Sequence, residues 1–205
     1  MLNLFSDTYT VPAKKADAHL RERGSRFLAY AFPCSDELNA QQALQDLRKQ
    51  FPDATHLCYA MMLGADGAYQ KSSDDGEPAY SAGKPILRAI LAGGLTNVLV
   101  VVVRYFGGTQ LGIPGLIQAY GNAASMALEA AGRVEHRIEK SCSFAAPHGK
   151  ENDIYRLLQT LQARITETSY EADGIRIQAM LGLKEWQLLK TRDAGYYFPV
   201  RFSME

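Results

Sequence analysis

The sequence has few cysteines, no net charge and no long apolar run, and each absence argues against a class of protein. Three cysteines in 205 residues are too few and too scattered for a disulfide framework or a four-ligand zinc site. Cys34, Cys58 and Cys142 each lie in an apolar stretch, which favours buried, reduced thiols. No apolar stretch approaches the ~20 residues of a membrane span, and the first residues lack a run of signal-peptide length. We therefore expect a cytoplasmic protein without a membrane partner.

Positive and negative charges balance in the whole chain and in both parts of it. Lys plus Arg and Asp plus Glu number 22 each, with 13 of each sign in residues 1–137 and nine of each in residues 138–205. This balance argues against the broad positive field of a protein that grips duplex phosphates non-specifically. The most basic local stretch runs from Lys14 to Arg26, with five cations and two carboxylates. It is interpreted either as a solvated face or as a docking patch for a protein partner.

Hydrophobic periodicity predicts alternating strands and helices over the first two thirds of the chain. Strands are predicted over residues 25–33, 56–64 and 97–105. The unbroken valines of the third strand indicate a central strand that is covered on both faces. Helices are predicted over 36–51 with Ser35 as the cap, over about 82–92, and from the following glycine-rich turn to about 131. Residues 132–140 are interpreted as a hinge, which places the two predicted domains at 1–137 and 138–205.

The remaining residues show the pattern of a split β-α-β unit of ferredoxin type. A strand at 141–147 precedes a helix with apolar residues at helical spacing, and strands at 163–171 and 174–181 follow. In the last of these, every second residue from Ile175 to Leu181 is apolar, which indicates one buried face. The tail supplies a short helix and an edge strand, where Pro199 is permitted.

Two loops concentrate the residue types that bind ligands. The first, KSSDDGEPAYSAGKP at 71–85, holds three carboxylates within four positions and a lysine near each end. In the second, RYFGGTQLGIPG at 104–115, glycines let backbone N–H groups approach a ligand, and the next helix presents its N-terminus to an anion. The candidate binding residues are Lys71, Asp74, Asp75, Gly76, Glu77, Lys84, Arg104, Tyr105, Gly107 and Gly108. We expect the two loops to form opposite walls of one charged pocket.

Each loop also has an ordinary structural interpretation. Carboxylates before a helix are stabilised by its exposed N–H groups, and glycines allow a helix and a sheet to pack closely. Asp75 and Glu77 are the candidates for a metal, but spacing supplies no third ligand, so no metal or other cofactor is expected. His56 and Cys58 lie two apart on one strand and are interpreted as hydrogen-bonding and packing residues rather than as a catalytic pair.

The two loops resemble the YigZ/IMPACT family in its bacterial two-domain branch. Asp75-Gly76-Glu77-Pro78, Ala82-Gly83-Lys84-Pro85 and Arg104-Tyr105-Phe106-Gly107-Gly108 carry the resemblance, which covers most of residues 20–130. It implies an α+β chain. The first domain would be an α/β two-layer sandwich similar to domain IV of elongation factor G and to a domain of a small-subunit ribosomal protein, and the second a ferredoxin-like βαββαβ domain. Eukaryotic members are linked to translational control, and nucleic-acid or ribosome association is the usual suggestion for bacterial ones.

The chain departs from the family pattern at four positions in these loops and beside them. Tyr80 stands in a segment that is usually made of small residues, and Pro114 replaces a usual glycine. Gln110 and Gln118 stand where a lysine and an arginine are usual. The loss of two cations removes two potential phosphate contacts, whereas Tyr80 offers a stacking surface to a flat ligand.

Three functions stay open at this point. The leading one is a non-enzymatic, translation-associated regulatory protein in which Arg104, Tyr105 and the lysines face RNA phosphate or a ribosomal partner. The alternative is a small-ligand or phosphate-binding enzyme that uses the same glycine turn, with Asp75 or Glu77 as general base or metal ligand. No nucleophile is evident, so no catalytic residue is assigned. The third is a protein-interaction module that docks a partner on the face of the C-terminal sheet or on the stretch from Lys14 to Arg26.

Overall fold

The structure is a computed structural model that describes residues 7–191 and 201–204. The chain divides into two compact units, and the boundary along the chain falls between His136 and Arg137, so the last residue of the final strand of the first unit already belongs to the second. The first unit contains β1 (Thr8–Pro12), β2 (Ala16–Glu22), β3 (Ser25–Pro33), α1 (Glu37–Gln50), β4 (His56–Leu63), β5 (Tyr69–Ser73), α2 (Gly83–Ala92), β6 (Val98–Tyr105), α3 (Gly112–Ala131) and β7 (Arg133–Arg137). The second contains β8 (Glu139–Pro147), α4 (Glu151–Thr160), β9 (Arg164–Glu171), β10 (Gly174–Gly182), α5 (Leu183–Thr191) and β11 (Arg201–Met204).

The first unit is built around an antiparallel sheet in the order β2-β3-β6-β4-β5. The valine-rich strand β6 lies at its centre, and residues 98–103 are all fully buried. Alternate residues of a strand point to opposite faces, so Val98, Val100 and Val102 join one core, and Leu99, Val101 and Val103 join another. The predicted central strand is therefore confirmed.

Helices cover both faces of this sheet. α2 and α3 form the second layer of the α/β sandwich, and the small residues of α3, such as Ala123 and Ala127, let the helix approach the strands closely. α1 lies on the opposite face over β4 and β6, with Ala40 and Leu47 buried. Its N-cap is Asp36, whose carboxylate accepts the Asn39 N–H at 2.8 Å, so the prediction of Ser35 as the cap was wrong by one residue.

Four strands of the first unit were missed because they are short or polar. β1 pairs with β7, so residues 133–137 form a strand where a hinge was predicted. β5 takes up residues 71–73 of the predicted loop, and as an edge strand it buries little. β2 does show a period of two, with Ala16, Ala18 and Leu20 packed on the core, but its charged residues led to its interpretation as a basic patch.

The second unit has the ferredoxin-like fold that was predicted. Its four strands run antiparallel in the order β11-β8-β10-β9, and the helices α4 and α5 follow β8 and β10 in the chain. The apolar residues of β10 from Ile175 to Leu181 are buried against α4. β11 is the predicted edge strand, whereas Pro199 lies outside the described residues. The α+β class is thus confirmed for both units. No helix in the described part of the chain is long and apolar enough to cross a membrane.

The central strand supplies a direct test of the fold. We expect Val102→Thr to lower the free energy of unfolding of the first unit by about 1–3 kcal/mol. The side chain is fully buried among apolar residues, so the new hydroxyl loses its hydrogen bonds to water when the protein folds. The matched control is Val134→Thr on β7, where the side chain is 41 % exposed and no loss is expected. Urea unfolding followed by far-UV circular dichroism measures the effect. The fluorescence of Trp186, the single tryptophan, reports on the second unit. Equal losses in the two variants would contradict the central position of β6.

Candidate functional site

The two predicted loops meet at a buried ion pair between Glu77 and Arg104. Arg104 donates from Nη1 to Glu77 Oε1 at 2.6 Å, and the side chains are only 6 % and 3 % exposed. Arg104 is on the end of β6, opposite Phe27 on β3 and His56 on β4, and its side chain points to the face that α2 and α3 cover. Glu77 and Arg104 therefore lie together, as expected of the two loops. Their charges neutralise each other in direct contact, however, and do not line opposite walls of a charged pocket.

Tyr120, from α3, completes the pair from the helical side. Its hydroxyl donates to Glu77 Oε1 at 2.7 Å, and burial raises the pKa of this phenol, so the group stays a donor at all ordinary pH values. Arg104 Nη2 donates to Ser25 Oγ at 3.4 Å, and the guanidinium also lies over the ring of Phe27, 5.5 Å from its centroid. The carboxylate is thus held by groups from β6 and α3.

His56 approaches the same carboxylate from β4. Its Nδ1 lies 2.8 Å from the Asp75 carbonyl oxygen, so Nδ1 carries the hydrogen in the neutral ring. Nε2 lies 3.8 Å from Glu77 Oε1, which is beyond hydrogen-bond distance. The interpretation of His56 as a hydrogen-bonding residue agrees with these contacts.

Cys58 lies two residues along β4 and faces the same side. Its Sγ is 3.0 Å from the Asp74 carbonyl oxygen and 3.4 Å from the Tyr120 hydroxyl. Burial raises the pKa of the Cys58 thiol to about 12, and the Glu77 carboxylate adds to the shift. A thiol with such a pKa stays protonated and is a poor nucleophile, which supports a packing role.

The other two carboxylates of the loop hold the backbone in place. Asp74 accepts the N–H groups of Tyr80 at 2.8 Å, Ala82 at 3.0 Å and Gly83 at 2.8 Å, so it caps the start of α2. Asp75 accepts the Leu57 N–H at 2.7 Å and pairs with Arg48 of α1 at 3.0 Å.

The Asp75 and Gly76 backbone turns with positive φ values of 43° and 87°. The turn brings Glu77 back towards the sheet. Within the described residues no group of three or more His, Cys, Asp or Glu is arranged to hold a metal ion.

The first glycines of the second loop approach protein backbone. A Cβ added to Gly107 would lie 1.9 Å from the carbonyl carbon of Gly24, so only glycine fits there. The Gly107 N–H donates to Ser25 Oγ at 3.2 Å. Gly108 has a φ of 85° and open space around it. Gly107 therefore joins the β2–β3 turn to the end of β6, and Gly108 turns the chain towards α3.

Three of the predicted site residues lie away from the ion pair. Lys71 is on β5 and binds Glu37 of α1 at 2.6 Å. Tyr105 follows Arg104 directly and so points to the opposite face of the sheet, where its hydroxyl donates to Asp53 at 3.0 Å. Lys84 is exposed on the first turn of α2 and is not among the residues that line the pocket beside Arg104.

A pocket of about 350 Å³ opens beside the ion pair. Its lining residues are Glu77, Pro78, Arg104, Phe106, Gln110, Leu111, Gly112, Ile113 and Leu116. A neighbouring pocket of about 290 Å³ shares Leu111 and includes Pro114 and Gln118. Three of the four departures from the family pattern thus line these two pockets. The fourth, Tyr80, is 69 % exposed with a φ of 65°, and its side chain belongs to neither lining.

Sequence reasoning missed two members of the site, Ser25 and Tyr120. Tyr120 belongs to the apolar stripe of α3, and a phenol there gives the same periodicity as a leucine. The available signal was the hydroxyl itself, because a buried tyrosine needs a hydrogen-bond partner. Ser25 opens the strand β3 and gave no signal of its own.

Comparison with known proteins places this geometry in context. The family described as Impact N-terminal domain matches residues 23–128. The chain is similar to the IMPACT family member YvyE of Bacillus subtilis, with 35 % identity over 161 residues that cover 78 % of this chain and 74 % of the relative. It is also similar to the IMPACT family member YigZ of Escherichia coli, with 30 % identity over 168 residues, 81 % of this chain and 82 % of the relative. A crystal structure of a hypothetical protein aligns over 98 % of both chains, with a TM-score of 0.71 and 25 % identity.

Breaking the ion pair from one side should be far more damaging than removing it as a unit. We expect Arg104→Met to lower the free energy of unfolding by about 3–5 kcal/mol, because Glu77 is then buried without its counter-charge. The double variant Arg104→Met, Glu77→Gln should recover at least half of that loss, since the amide still accepts from Tyr120.

The matched control for this experiment is Arg176→Met. Arg176 pairs with Glu171 at the same 2.6 Å distance but on the surface, so its loss should cost about 0–1 kcal/mol. Urea unfolding by circular dichroism measures all three variants. A double variant less stable than Arg104→Met alone would show that the two charges do not act as a pair.

The cysteines provide a second test of burial. All three are buried, and burial raises the pKa of each thiol, to about 12 for Cys58 and about 11 for Cys142. At about pH 8 an unfolded thiol ionises to a substantial fraction, whereas these stay protonated. Iodoacetamide should therefore leave the native protein unmodified and alkylate all three residues in urea, as read by mass spectrometry. Rapid alkylation of Cys58 in the native protein would contradict the assigned packing role.

Proposed function

The chain belongs to the IMPACT family, and we propose that it acts in translation by binding RNA through the basic hairpin formed by β2 and β3. The match confirms the family predicted from the two loops. The link of the family's eukaryotic members to translational control supports the setting. RNA binding through the hairpin is our proposal, and features of the first unit support it.

The observation that carries the proposal is a pair of opposed arginines. Arg21 on β2 and Arg26 on β3 are directly opposite each other in the hairpin, and both are exposed. Neither has a carboxylate within ion-pair distance among the described residues; the nearby Glu22 instead lies 4.0 Å from Arg23. Like charges directly opposite each other destabilise a strand pair. A polyanion that bridges the two guanidinium groups removes this repulsion.

Aromatic rings lie on the same face of the sheet as these arginines. Arg26 pairs with Tyr105 of β6 in register, and its guanidinium lies 4.6 Å from the centroid of the tyrosine ring. Phe32 lies farther along β3, and Nζ of Lys15, the residue before β2, is 4.8 Å from its ring centroid. Cations combined with aromatic faces are what single-stranded RNA needs, because phosphates pair with the cations and unstacked bases stack on the rings.

The balanced charge of the chain limits this surface to a local patch. A few arginines on a neutral protein predict weak binding that falls steeply with salt. They do not predict the non-specific coating of duplexes that a strongly basic protein shows. Arg104, which was predicted to contact phosphate, is not part of this surface, because its guanidinium is buried and paired with Glu77.

The enzymatic alternative has less support from the geometry. General base or metal chemistry needs carboxylates that converge on a ligand. Asp74 instead accepts three backbone N–H groups, and Asp75 is held by Arg48 and Leu57. Glu77 does face a pocket, but it does so as half of an ion pair, which fits recognition of a ligand better than proton transfer.

A charge-reversal experiment tests the hairpin. We expect Arg21→Glu, Arg26→Glu to weaken binding to a labelled single-stranded RNA at least tenfold, measured by fluorescence anisotropy over a salt series. Because two phosphate contacts are lost, the slope of log K against log salt should become shallower by about 1.4. The charge-matched control is Arg88→Glu, Arg156→Glu, which changes two exposed arginines elsewhere and should leave the slope in place.

Ribosome sedimentation at low and high salt adds a second readout. The wild-type chain should sediment with ribosomes at low salt and dissociate at high salt, and the Arg21, Arg26 variant should not sediment. Two results would overturn the proposal: equal RNA affinity in the variant and its control, or ribosome binding that depends on the arginines while RNA binding does not. The second would assign the hairpin to a protein partner.

A further inference from the structure

The pocket beside the Glu77–Arg104 ion pair has the chemistry of a site for a neutral, flat ligand, and we propose that it binds an unpaired guanine base. The inference rests on the proposed function, since the base would belong to the bound RNA. The hairpin arginines and this pocket are different surfaces of the same unit, and each can be tested without the other.

The free oxygen of Glu77 is the first reason. The contacts of its carboxylate with Arg104, Tyr120 and His56 are all made through Oε1. Oε2 has no hydrogen-bond partner among the described residues, and it is not shielded from solvent as Arg104 Nε is, although the side chain as a whole is only 3 % exposed and lines the pocket. A ligand that donates to Oε2 can therefore take the place of water at this acceptor.

The charge of the site selects the kind of donor. Glu77 and Arg104 neutralise each other at 2.6 Å, so a cation in the pocket would meet the guanidinium and an anion would meet the carboxylate. The rim residue at position 110 is a glutamine and adds no charge. A neutral molecule that carries N–H groups avoids both repulsions.

The walls of the pocket select its shape. Apart from the ion pair and Gln110, the lining residues are apolar or glycine. Phe106 is 48 % exposed and Ile113 is 53 % exposed, and both stand at the opening. The Arg104 guanidinium lies 5.6 Å from the centroid of the Phe106 ring. A planar ring that enters between these side chains buries its faces on apolar surface and can stack on Phe106.

Guanine matches these groups better than the other bases. Its pairing edge presents two adjacent donors, N1–H and the exocyclic amine, to a carboxylate oxygen such as Glu77 Oε2. Adenine presents one donor beside an acceptor, and that acceptor would face the carboxylate. The same edge of guanine carries a carbonyl oxygen next to N1, and the N–H of Arg104 Nε has no acceptor among the described residues. Neighbouring atoms shield this N–H from solvent, so the guanine carbonyl does not reach it. The contact that selects guanine is therefore the one with Glu77 Oε2.

Free nucleosides test the pocket without any RNA. Guanosine and adenosine are titrated into the full chain, and the methyl resonances of Leu111, Ile113 and Leu116 are followed by NMR. We expect guanosine to shift these resonances with an affinity about tenfold higher than that of adenosine, as for one good pair of base contacts. No shift with guanosine, or equal shifts with both nucleosides, overturns the proposal.

Two variants and a control assign the contacts. Phe106→Ala removes an exposed ring, leaves the core intact and should weaken guanosine binding about tenfold. Glu77→Gln should abolish the preference for guanosine, because an amide nitrogen replaces an acceptor. Leu38→Ala, at a side chain 77 % exposed on α1, is the control and should change nothing. If Glu77→Gln does not fold, Phe106→Ala alone tests the pocket. Unchanged guanosine binding by Phe106→Ala would then contradict the proposal that guanine binds there.

Short RNAs separate this inference from the proposed function. The pentamers UUGUU and UUAUU are compared on the wild-type chain and on the variant Arg21→Glu, Arg26→Glu. If both RNAs bind equally through the arginines, the pocket proposal fails and the proposed function stands. If guanosine binds but neither RNA does, the pocket stands as a site for a free guanine nucleoside and the proposed function fails. A response of the same methyl groups to N-acetyltryptophanamide and not to guanosine would mark a peptide pocket and overturn the proposal.

Discussion

The ion pair between Glu77 and Arg104 is the constraint on which the arrangement of the first unit depends. Two charges taken out of water lose several kcal/mol of hydration each, and the loss is offset by their direct contact and by hydrogen bonds from neighbouring groups. The partners come from elements far apart in the chain, because Tyr120 lies on α3 and Ser25 on β3. One carboxylate thus fixes the loop before α2 against the end of the central strand. It also forms the floor of the adjoining pocket.

Most of the fold could be predicted because its strongest patterns are local. The valines of β6, the apolar stripe of α3 and the alternation in β10 all reflect burial that a strand or helix of that type imposes on its own sequence. The edge strands show no such hydrophobic pattern. β5 and β7 have almost no buried side chains, so neither offers a hydrophobic period to detect. Their pairing follows from the position of β4 and β1, which is tertiary information.

The candidate site was predicted in outline and missed in detail for a related reason. Composition and spacing brought the two loops together, and Glu77 does meet Arg104. Strand alternation already implies that Tyr105 cannot share the face of Arg104, a local rule that the grouping of neighbouring residues overlooked. The partners of Lys71 and Asp75 lie on α1, and nothing in the two loops identifies them. A charged residue in a sequence shows that a partner of opposite charge is needed. The packing of elements that are distant in the chain decides which residue that partner is.

The place of β6 in the chain has a consequence for synthesis. The hairpins β2–β3 and β4–β5 are made first, yet both border the strand that comes last in the sheet. Until residues 98–105 leave the ribosome, the inner edges of β3 and β4 remain open and apolar, and such edges pair readily with other chains. Because the amino-terminal part of a protein emerges first, each nascent copy passes through this stage. A chaperone that covers open strand edges would find its substrate in the half-made protein rather than in the finished one.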